Sequence, residues 1–358
     1  MPARKKIAMV AGEASGDQLG AALIRELKSI YPDAVFSGIG GPHMKSEGFD
    51  AWWDSDELAV MGLTAVLSQL PRLLRLRKSL RQRLLQEKPD IFIGIDAPDF
   101  NLPVERTIRE AGITTVHYVS PTVWAWRQGR VKGIGRAADL VMCLFPFEPD
   151  FYHAHKVAAE YTGHPMADEI DEVMDPAAAR QELGLHPDRP CIALLPGSRR
   201  NEAQLLSPHL LGAASQLAKR DPSTQFVAPM ARPRVREEFE KAQAAHPDVD
   251  CMLIDGKARQ AMAAADLVLC ASGTAALETM LVNRPMVVVY RFGHLTYAIG
   301  KGLRLVKSRF FSLPNVLAGE ELVPELGQYE CTAYRIAKEA IAWLNNPERQ
   351  ARVQARVS

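Results

Sequence analysis

Cysteine is scarce in this chain, and its spacing does not suit a metal site. Five cysteines occur among 358 residues and none forms a C-x-x-C pair, so the sequence predicts neither a zinc site nor a disulfide framework. Four of the five lie in or beside short apolar, strand-like runs. We therefore predict reduced cysteines that pack as small hydrophobic side chains. The five are Cys143, Cys191, Cys251, Cys270 and Cys331.

Long apolar runs are lacking as well. No stretch approaches the roughly 18 uncharged apolar residues that a transmembrane helix needs. The apolar run at residues 7–10 is too short for a signal peptide, and Glu13 and Asp17 follow it closely. We therefore expect a cytoplasmic protein that is soluble or bound to a membrane surface.

Neither positive nor negative charge predominates in this chain. The chain has 43 Lys and Arg against 42 Asp and Glu, for a formal net charge of +1, which argues against a general nucleic-acid binder. With 358 residues, of which 47% are hydrophobic, the chain is too long for one ordinary core and about right for two domains.

Short apolar runs alternate with helical patterns along the whole chain, which predicts an α/β fold of doubly wound parallel sheets with helices on both faces. A polar stretch after Gly163 separates two sets of strands, so we place the domains at 1–165 and 166–358. The predicted helices include 19–29, 72–86 and 274–282. The predicted strands are 7–10, 35–39, 91–95, 114–119 and 140–144, then 191–195, 225–228, 251–254, 267–270 and 286–290.

In such sheets ligands bind outside the carboxyl ends of the strands, so the loops that follow strands deserve attention. The first loop has glycines at 12, 16 and 20. That is not the G-x-G-x-x-G fingerprint, which disfavours a nucleotide-dependent oxidoreductase, and no P-loop lysine follows. The loop suits either a tight turn with a helix cap or, given its polar residues Glu13, Ser15 and Asp17, a substrate contact.

Asp96 follows the strand predicted at 91–95, where a carboxylate can face a ligand and accept a proton. Asp99 and Asn101 come next, and Asp99 is the better candidate to cap the following helix. Asp96 is therefore the better candidate for a catalytic role. After the next strand, Trp124 and Trp126 either pack their loop down or face a sugar ring or an acyl chain.

Two loops of the second half also connect a strand to a helix. Gly197 and Ser198 can present backbone donors, and Arg199 can pair with phosphate oxygens. The small residues at 271–274 would let a diphosphate approach a helix N-terminus. Glu278 follows one turn later, where a carboxylate can accept both hydroxyls of a ribose.

The segment 60–70 is apolar, and six cations follow within residues 72–83 with no acid among them. Pro71 marks a break or a new helix start. Apolar residues beside a basic run suit an anionic membrane surface, although a core helix with a solvated basic face is the alternative. The predicted membrane contacts are Met61, Leu63, Val66, Leu67, Leu70, Arg72, Arg75, Arg77 and Lys78.

Taken together, six motifs in order resemble the lipid-A-disaccharide synthase family over nearly the whole chain. They are residues 12–17, 94–101, 117–126, 194–199, 271–278 and 312–319. The resemblance implies the GT-B fold, a UDP-2,3-diacylglucosamine donor, the acceptor 2,3-diacylglucosamine 1-phosphate (lipid X), and a β-1,6-linked disaccharide 1-phosphate product. It also implies that Asp96 is the essential aspartate, and that Arg199, Glu278 and Asn315 hold the nucleotide or line the active cleft.

The resemblance further implies a homodimer and a place on the cytoplasmic face of the inner membrane. Family members usually continue past the position of Ser358, and GT-B enzymes often send a last helix back onto the N-terminal domain, so we expect either a shortened chain or an incomplete last helix here. The chemistry requires neither a cofactor nor a metal, because Arg199 and helix N–H groups would stabilise the leaving diphosphate.

Two other functions are compatible with the same fold: a UDP-N-acetylglucosamine 2-epimerase, and a non-catalytic protein that binds sugar nucleotides. An epimerase would need several acid–base groups around the sugar but no acyl site. With Asp96 as the catalytic residue, the predicted substrate contacts are Glu13, Ser15, Gly16, Asp17, Asp99, Asn101, Trp124, Ser198, Arg199, Glu202, Ser272, Gly273, Thr274, Glu278 and Asn315.

Overall fold

A computed structural model describes residues 4–58, 63–124, 128–170, 174–291, 309–346 and 348, without the side chains of Ala14 and of residues 63–69. The chain divides into two units, Met1–Pro165 and Met166–Ser358. Each unit is built around its own parallel sheet. The five cysteines are buried and free, which confirms the prediction that they pack as small hydrophobic residues.

Within its described part, the N-terminal unit contains a seven-stranded parallel sheet in the order β3-β2-β1-β4-β5-β6-β7. Alternate residues of β1 point to opposite faces, as strand geometry requires. Ile7 and Met9 join the core on one face, whereas Ala8 and Val10 join the core on the other. The strands are β1 (Lys6–Ala11), β2 (Val35–Gly40), β3 (Asp50–Asp54), β4 (Ile91–Ile95), β5 (Thr114–Tyr118), β6 (Leu140–Cys143) and β7 (Ala159–Tyr161).

Helices cover both faces of this sheet. One core packs Ile24 of the first helix against β1 and β4, and the other packs Val104 and Ile108 of the fourth helix against the opposite face. The helices are α1 (Ala14–Ile30), α2 (Pro42–Ser46), α3 (Leu63–Glu87), α4 (Pro98–Glu110), α5 (Val131–Ala137), α6 (Glu148–His153) and α7 (Pro165–Glu169), the last of which begins at the boundary of the units.

The C-terminal unit contains a six-stranded parallel sheet in the order β10-β9-β8-β11-β12-β13 among its described residues. The central strands β8 and β11 are buried along their whole length, as expected for a sheet covered on both faces. The strands are β8 (Cys191–Leu195), β9 (Gln225–Met230), β10 (Cys251–Asp255), β11 (Leu267–Ala271), β12 (Met286–Tyr290) and β13 (Glu325–Gly327).

The helices of this unit are α8 (Pro176–Leu183), α9 (Arg200–Arg220), α10 (Pro233–Gln243), α11 (Ala258–Ala264), α12 (Thr274–Leu281), α13 (Leu313–Ala318) and α14 (Ala333–Leu344). In each sheet the chain order reverses beside the first strand, between β1 and β4 and between β8 and β11. Loops after such strands diverge and leave a crevice where ligands bind. Four of the five loops that the sequence singled out follow these strands, and the fifth, which carries Trp124, follows β5.

Two predictions about elements were wrong. Pro71 does not break a helix, because α3 runs from Leu63 to Glu87 with Pro71 inside it. Three strands were also missed: β3, β7 and β13. All three lie at an edge of their sheet, and two of them have only three residues, too few for a period-two pattern to stand out.

Candidate functional site

The turn after β4 has an unusual backbone. Asp96 and Ala97 both adopt left-handed conformations, with φ of 50° and 44°. A non-glycine residue in this region costs about 1–3 kcal/mol and persists only where the surroundings enforce it. The backbone N–H of Asp96 donates to the carbonyl of Tyr118 at 2.8 Å. Val119, directly after the adjacent strand β5, is also left-handed, with φ of 76°. Strained residues therefore follow two neighbouring strands at their carboxyl ends.

The side chain of Asp96 is half-buried, and within the described part of the chain its carboxylate has no hydrogen-bond or ion-pair partner. The loop after β1 lies directly against this turn, since a Cβ on Gly12 would stand 3.2 Å from the Cβ of Ala97. Ala11 and Ile95 are paired residues at the ends of β1 and β4, so the two loops begin side by side. A carboxylate without a partner at a switch point is available to a ligand.

Asn101 was predicted to contact substrate, but the structure gives it another role. Its side chain is fully buried. Its amide nitrogen donates to the carbonyls of Asp96 at 2.8 Å and Ile95 at 3.2 Å, and approaches the carbonyl of Val10 at 3.4 Å. Asn101 therefore holds the ends of β1 and β4 and the turn that carries Asp96, and a substrate has no access to it.

Asp99 does not cap α4, contrary to the sequence interpretation. The N-cap position belongs to Ala97, and Asp99 lies in the first turn of the helix. The Asp99 carboxylate is 89% exposed and forms an ion pair with Arg130 at 2.6 Å. Neither Asp96 nor Asp99 is occupied by capping, so both carboxylates stay open to a ligand or a neighbouring cation.

The predicted contacts at the start of α1 divide into two groups. Glu13 is the N-cap residue and Ser15 lies in the first turn, and both are exposed. Gly16 is buried, and a Cβ there would stand 3.6 Å from Ala11. Asp17 is only 1% exposed, which corrects the prediction of a substrate contact.

Asp17 instead caps a different helix from the one expected. Its carboxylate accepts from the backbone N–H groups of Gly41 at 2.7 Å, His43 at 2.8 Å and Met44 at 3.1 Å. These groups lie at the N-terminus of α2, where backbone donors have no partner within the helix. Asp17 therefore joins α1 to α2.

Trp124 lies in a pinned loop after β5. Its indole N–H donates to Glu148 at 3.1 Å, and its ring meets Phe147 edge-on at 4.9 Å between centroids. Burial raises the pKa of Glu148, while the N–H groups of Phe145 and Trp124 and the Ser120 side chain lower it. The packing interpretation therefore holds for this half-buried ring. Trp126 lies outside the described residues.

The loop after β8 presents a cation and a carboxylate. Gly197 has φ of 103°, a conformation that glycine adopts easily, and the exposed Ser198 and Arg199 follow. Arg199 is the N-cap residue of α9; its backbone N–H donates to Glu202 at 3.4 Å and its guanidinium pairs with Glu202 at 3.3 Å. The exposed guanidinium is suited to an anionic ligand.

The loop after β11 leads into α12 with little steric hindrance. Gly273 is the N-cap residue, with φ of 140°, and apart from its own chain neighbours no described residue lies within 4 Å of the place where a Cβ would stand. Ser272 donates its hydroxyl to the carbonyl of Phe311 at 2.9 Å, and Thr274 is exposed. The small, exposed residues Gly273 and Thr274 would let an anion approach the N-terminus of α12.

Glu278 lies one turn into α12 and is half-buried. Burial raises the pKa of its carboxyl group; Arg259 lowers that pKa and Glu169 raises it. Within the described residues the Glu278 carboxylate makes no hydrogen bond, so it can accept hydroxyl groups from a ligand.

Asn315 was predicted to hold the nucleotide or to line the active cleft, but its side chain is turned to groups of the protein. The side chain is fully buried. Its amide nitrogen donates to the carbonyl of Val323 and to Glu325, both at 2.8 Å, and its oxygen accepts from the N–H groups of Leu322 at 2.8 Å and Val323 at 2.9 Å. No hydrogen-bonding capacity is left for a ligand.

The basic face of α3 is less free than the sequence suggests. Four of its six cations contact groups outside α3, and a fifth, Arg75, donates to the carbonyl of Pro71 within the helix at 3.3 Å. Arg72 pairs with Glu57 at 2.6 Å, and Arg77 and Arg81 donate to the carbonyls of Asp99 at 2.8 Å and Pro103 at 2.6 Å. The fourth, Arg83, lies over Trp52 at 4.3 Å from the ring centroid. Of the four cations predicted to contact a membrane, Arg72 and Arg77 are therefore engaged by protein groups, and the membrane contact itself stays a prediction.

An exposed stripe nevertheless runs along α3. Leu70 is 42% and Leu74 49% exposed, and Arg75 and Lys78 beside them are exposed. The other side of the helix packs Leu76, Leu80 and Leu84 into the core, the last two fully buried. Leu63, Val66 and Leu67 lie in α3, but their side chains, like Met61, lie outside the described part. No described helix is long and apolar enough to cross a bilayer.

Sequence reasoning missed two aromatic residues beside the loops of the C-terminal unit. Phe311 is 40% exposed and lies 6.3 Å from the ring of Tyr290. Burial raises the pKa of Tyr290, Glu202 raises it further and Arg199 lowers it, so the phenol lies near these charged groups. Tyr290 ends a predicted strand, and its position at the carboxyl end was the available signal; Phe311 had none.

Solved structures share this architecture at low sequence identity. UDP-GlcNAc 2-epimerase from Neisseria meningitidis, bound to UDP-GlcNAc, superposes with a TM-score of 0.67 at 13% identity, covering 98% of this chain and 94% of that chain. A glycosyltransferase from Rickettsia africae superposes with a TM-score of 0.60 at 10% identity, covering 99% and 92%. These similarities support the GT-B fold.

Sequence relatives are far closer. A family model described as lipid-A-disaccharide synthetase matches residues 7–358. The lipid-A-disaccharide synthase of Xanthomonas campestris is 52% identical over 353 residues, which are 98% of this chain and 81% of that protein. The same enzyme of Erwinia tasmaniensis is 53% identical over 333 residues, 92% of this chain and 87% of that protein. This chain therefore belongs to the lipid-A-disaccharide synthase family of glycosyltransferases, which act in lipid A synthesis.

Proposed function

We propose that this chain condenses UDP-2,3-diacylglucosamine with lipid X to give the β-1,6-linked disaccharide 1-phosphate and UDP. The observation that carries the proposal is the Asp96 turn. A half-buried carboxylate without a described partner follows β4 in a left-handed backbone. Such strain is typical of functional sites, and the family membership supports the choice of substrates.

Asp96 is the proposed general base. The donor sugar is α-linked to UDP and the product is β-linked, so one in-line displacement with inversion is enough. The acceptor hydroxyl oxygen forms a bond to the anomeric carbon, the bond from that carbon to the diphosphate breaks, and UDP leaves with the electron pair. Asp96 takes the hydroxyl proton. The diphosphate leaves without being protonated, so a second carboxylic acid is not required.

The C-terminal unit supplies the proposed donor site. The exposed guanidinium of Arg199 and the small residues at the N-terminus of α12 suit the diphosphate. Glu278 is the proposed acceptor for the ribose hydroxyls, which is supported by a carboxylate that makes no hydrogen bond with other described residues. Within this proposal Ser198, Glu202, Ser272, Gly273 and Thr274 surround the nucleotide.

The N-terminal unit supplies the proposed acceptor site around Asp96. The start of α1 follows β1 and therefore lies at the same carboxyl ends of the strands as Asp96. Its exposed residues are Glu13 and Ser15, followed by the buried Gly16 and Asp17. Asp99 and the half-buried Trp124 belong to the same proposed site. Asp17 and Asn101 are assigned here to holding the backbone, because both are buried.

We further propose that the exposed stripe of α3 contacts an anionic membrane surface. Leu70 and Leu74 would enter the interface while Arg75 and Lys78 meet lipid headgroups. Acylated substrates reside in a bilayer, so an enzyme that uses them needs such a contact.

A turnover assay tests the function. Purified protein with UDP-2,3-diacylglucosamine is expected to release UDP only when lipid X is present, in step with the disaccharide product. A 2-epimerase would convert a sugar nucleotide without lipid X, and a binding protein would release no UDP. Either of those results would overturn the proposal.

A further inference from the structure

A buried polar cluster lies beneath the Asp96 turn. His117 on β5 and Glu105 on α4 are both fully buried, and the Nδ1 atom of His117 lies 2.7 Å from the carboxylate of Glu105. Burial raises the pKa of Glu105, and the proximity of His117 opposes that change. Neither residue takes part in the chemistry proposed above.

A glycine in the sheet leaves the space that this pair needs. Gly94 and His117 are register partners on adjacent strands, and both lie on the face that α4 covers. A Cβ on Gly94 would collide with the carboxylate of Glu105 and stand 2.9 Å from the Cβ of Asn101. The glycine therefore leaves the space that the Glu105 carboxylate occupies.

Asn101 links the pair to the turn. Asn101 and Glu105 are four residues apart on α4, so they lie on the same face of the helix. The amide nitrogen of Asn101 faces three carbonyl oxygens, those of Val10, Ile95 and Asp96; reversing the amide would set oxygen against oxygen. The helix is thus attached to the sheet at two polar points, one of which is the turn itself.

This arrangement is unfavourable for stability alone. The second oxygen of Glu105, Nε2 of His117 and the side-chain oxygen of Asn101 are buried, and none has a hydrogen-bond partner among the described residues. A buried polar group without a partner costs about 1–3 kcal/mol. Apolar residues of similar volume often replace a buried pair without loss of stability, so the fold by itself does not require Glu105 and His117.

We propose that Glu105 and His117 are positioning residues that act through Asn101 on Asp96. The inference rests on the proposed role of Asp96 as the base. The pair fixes α4 against β4 and β5, and Asn101 passes this constraint to the carbonyl groups of the left-handed turn. An error of about 1 Å in the position of a reacting group can cost on the order of 10²-fold in rate.

The test uses variants that keep volume but remove the hydrogen bond: Glu105→Met and His117→Leu. Each is made in the parent and in an Asp96→Asn background, and kcat, KM and the melting temperature are measured. We expect folded proteins whose kcat falls about 10–10²-fold while KM changes less than about 3-fold. In the Asp96→Asn background we expect no further fall in kcat, because the effect passes through Asp96.

His117→Asn is the matched control, since its amide N–H can still reach Glu105, and we expect kcat close to that of the parent. A folded Met or Leu variant with parental kcat would overturn the inference, as would an equal fall in the Asp96→Asn background. Failure of both apolar variants to fold would also overturn it, because the pair would then serve the fold. An Asp96→Asn protein with parental kcat would instead overturn the proposed function.

Discussion

Replacing both Leu70 and Leu74 with Ser tests whether the stripe of α3 meets a membrane. The two side chains are 42% and 49% exposed, so about half of each is available to enter the interface. Burying a whole leucine contributes about 1.5–3 kcal/mol, so each half contributes roughly 1 kcal/mol and both about 2 kcal/mol. That sum corresponds to about 30-fold in the vesicle partition coefficient.

The assay is co-sedimentation with anionic vesicles at low and high salt. Attraction of Arg75 and Lys78 to the surface weakens as salt screens it, whereas the apolar contribution persists. The parent is expected to pellet at low salt and to be only partly released at high salt, and the double variant to be released fully. Activity on detergent-dispersed substrate should hardly change. Ile30→Ser is the matched control, because Ile30 on α1 is 66% exposed.

Thermal melting shows whether Leu70 and Leu74 are exposed, as a membrane contact requires, or belong to the core. Loss of an exposed leucine leaves the core intact, so the midpoint of the double variant should stay close to that of the parent. Leu80→Ser marks the opposite case, since Leu80 is fully buried and large-to-small changes in a core cost about 2–5 kcal/mol. A collapsed midpoint in the Leu70 and Leu74 variant, or unchanged vesicle binding, would show that the stripe does not meet a membrane.

Three further predictions follow from the site. Excess EDTA is expected to leave the rate unchanged, because Arg199 and the N-terminus of α12 neutralise the diphosphate; an inactive enzyme restored by magnesium would contradict this. UDP affinity, measured by calorimetry, should weaken as pH falls through the raised pKa of Glu278, since the ionised form accepts the ribose hydroxyls; Glu278→Gln should bind more weakly and lose that dependence, and identical pH profiles would argue otherwise. Asn315→Leu should lower the free energy of unfolding by about 1–3 kcal/mol for each partner left unpaired; loss of UDP affinity with an unchanged melting curve would restore its predicted nucleotide contact.

Strands buried on both faces were the easiest elements to predict. Residues 91–95, 191–195 and 286–290 match β4, β8 and β12 residue for residue, because a continuous apolar run bounded by turn residues leaves little choice. β3 was missed since two tryptophans and two aspartates form an edge strand with no such run. The continuity of α3 through Pro71 depends on packing that the local sequence does not reveal.

Polar residues near the strand ends were harder to assign. Asp17, Asn101 and Asn315 stand beside ligand-binding loops in the sequence, yet each turns its side chain to backbone groups. Sequence spacing reports which loop a residue belongs to, but not whether its side chain faces the backbone or open space. For the same reason the buried partners Glu105 and His117, twelve residues apart in different elements, left no pattern to detect.

The most direct test of the account is the turnover of Asp96→Asn. The change removes the proton acceptor and little volume, so the variant should fold, bind UDP with parental affinity and lose about 10²–10⁴-fold in kcat. Asp33→Asn is the control, since Asp33 is exposed and lies just before β2, at the amino-terminal ends of the strands. This variant should keep full activity. An Asp96→Asn enzyme with parental kcat would contradict the central claim that Asp96 accepts the proton.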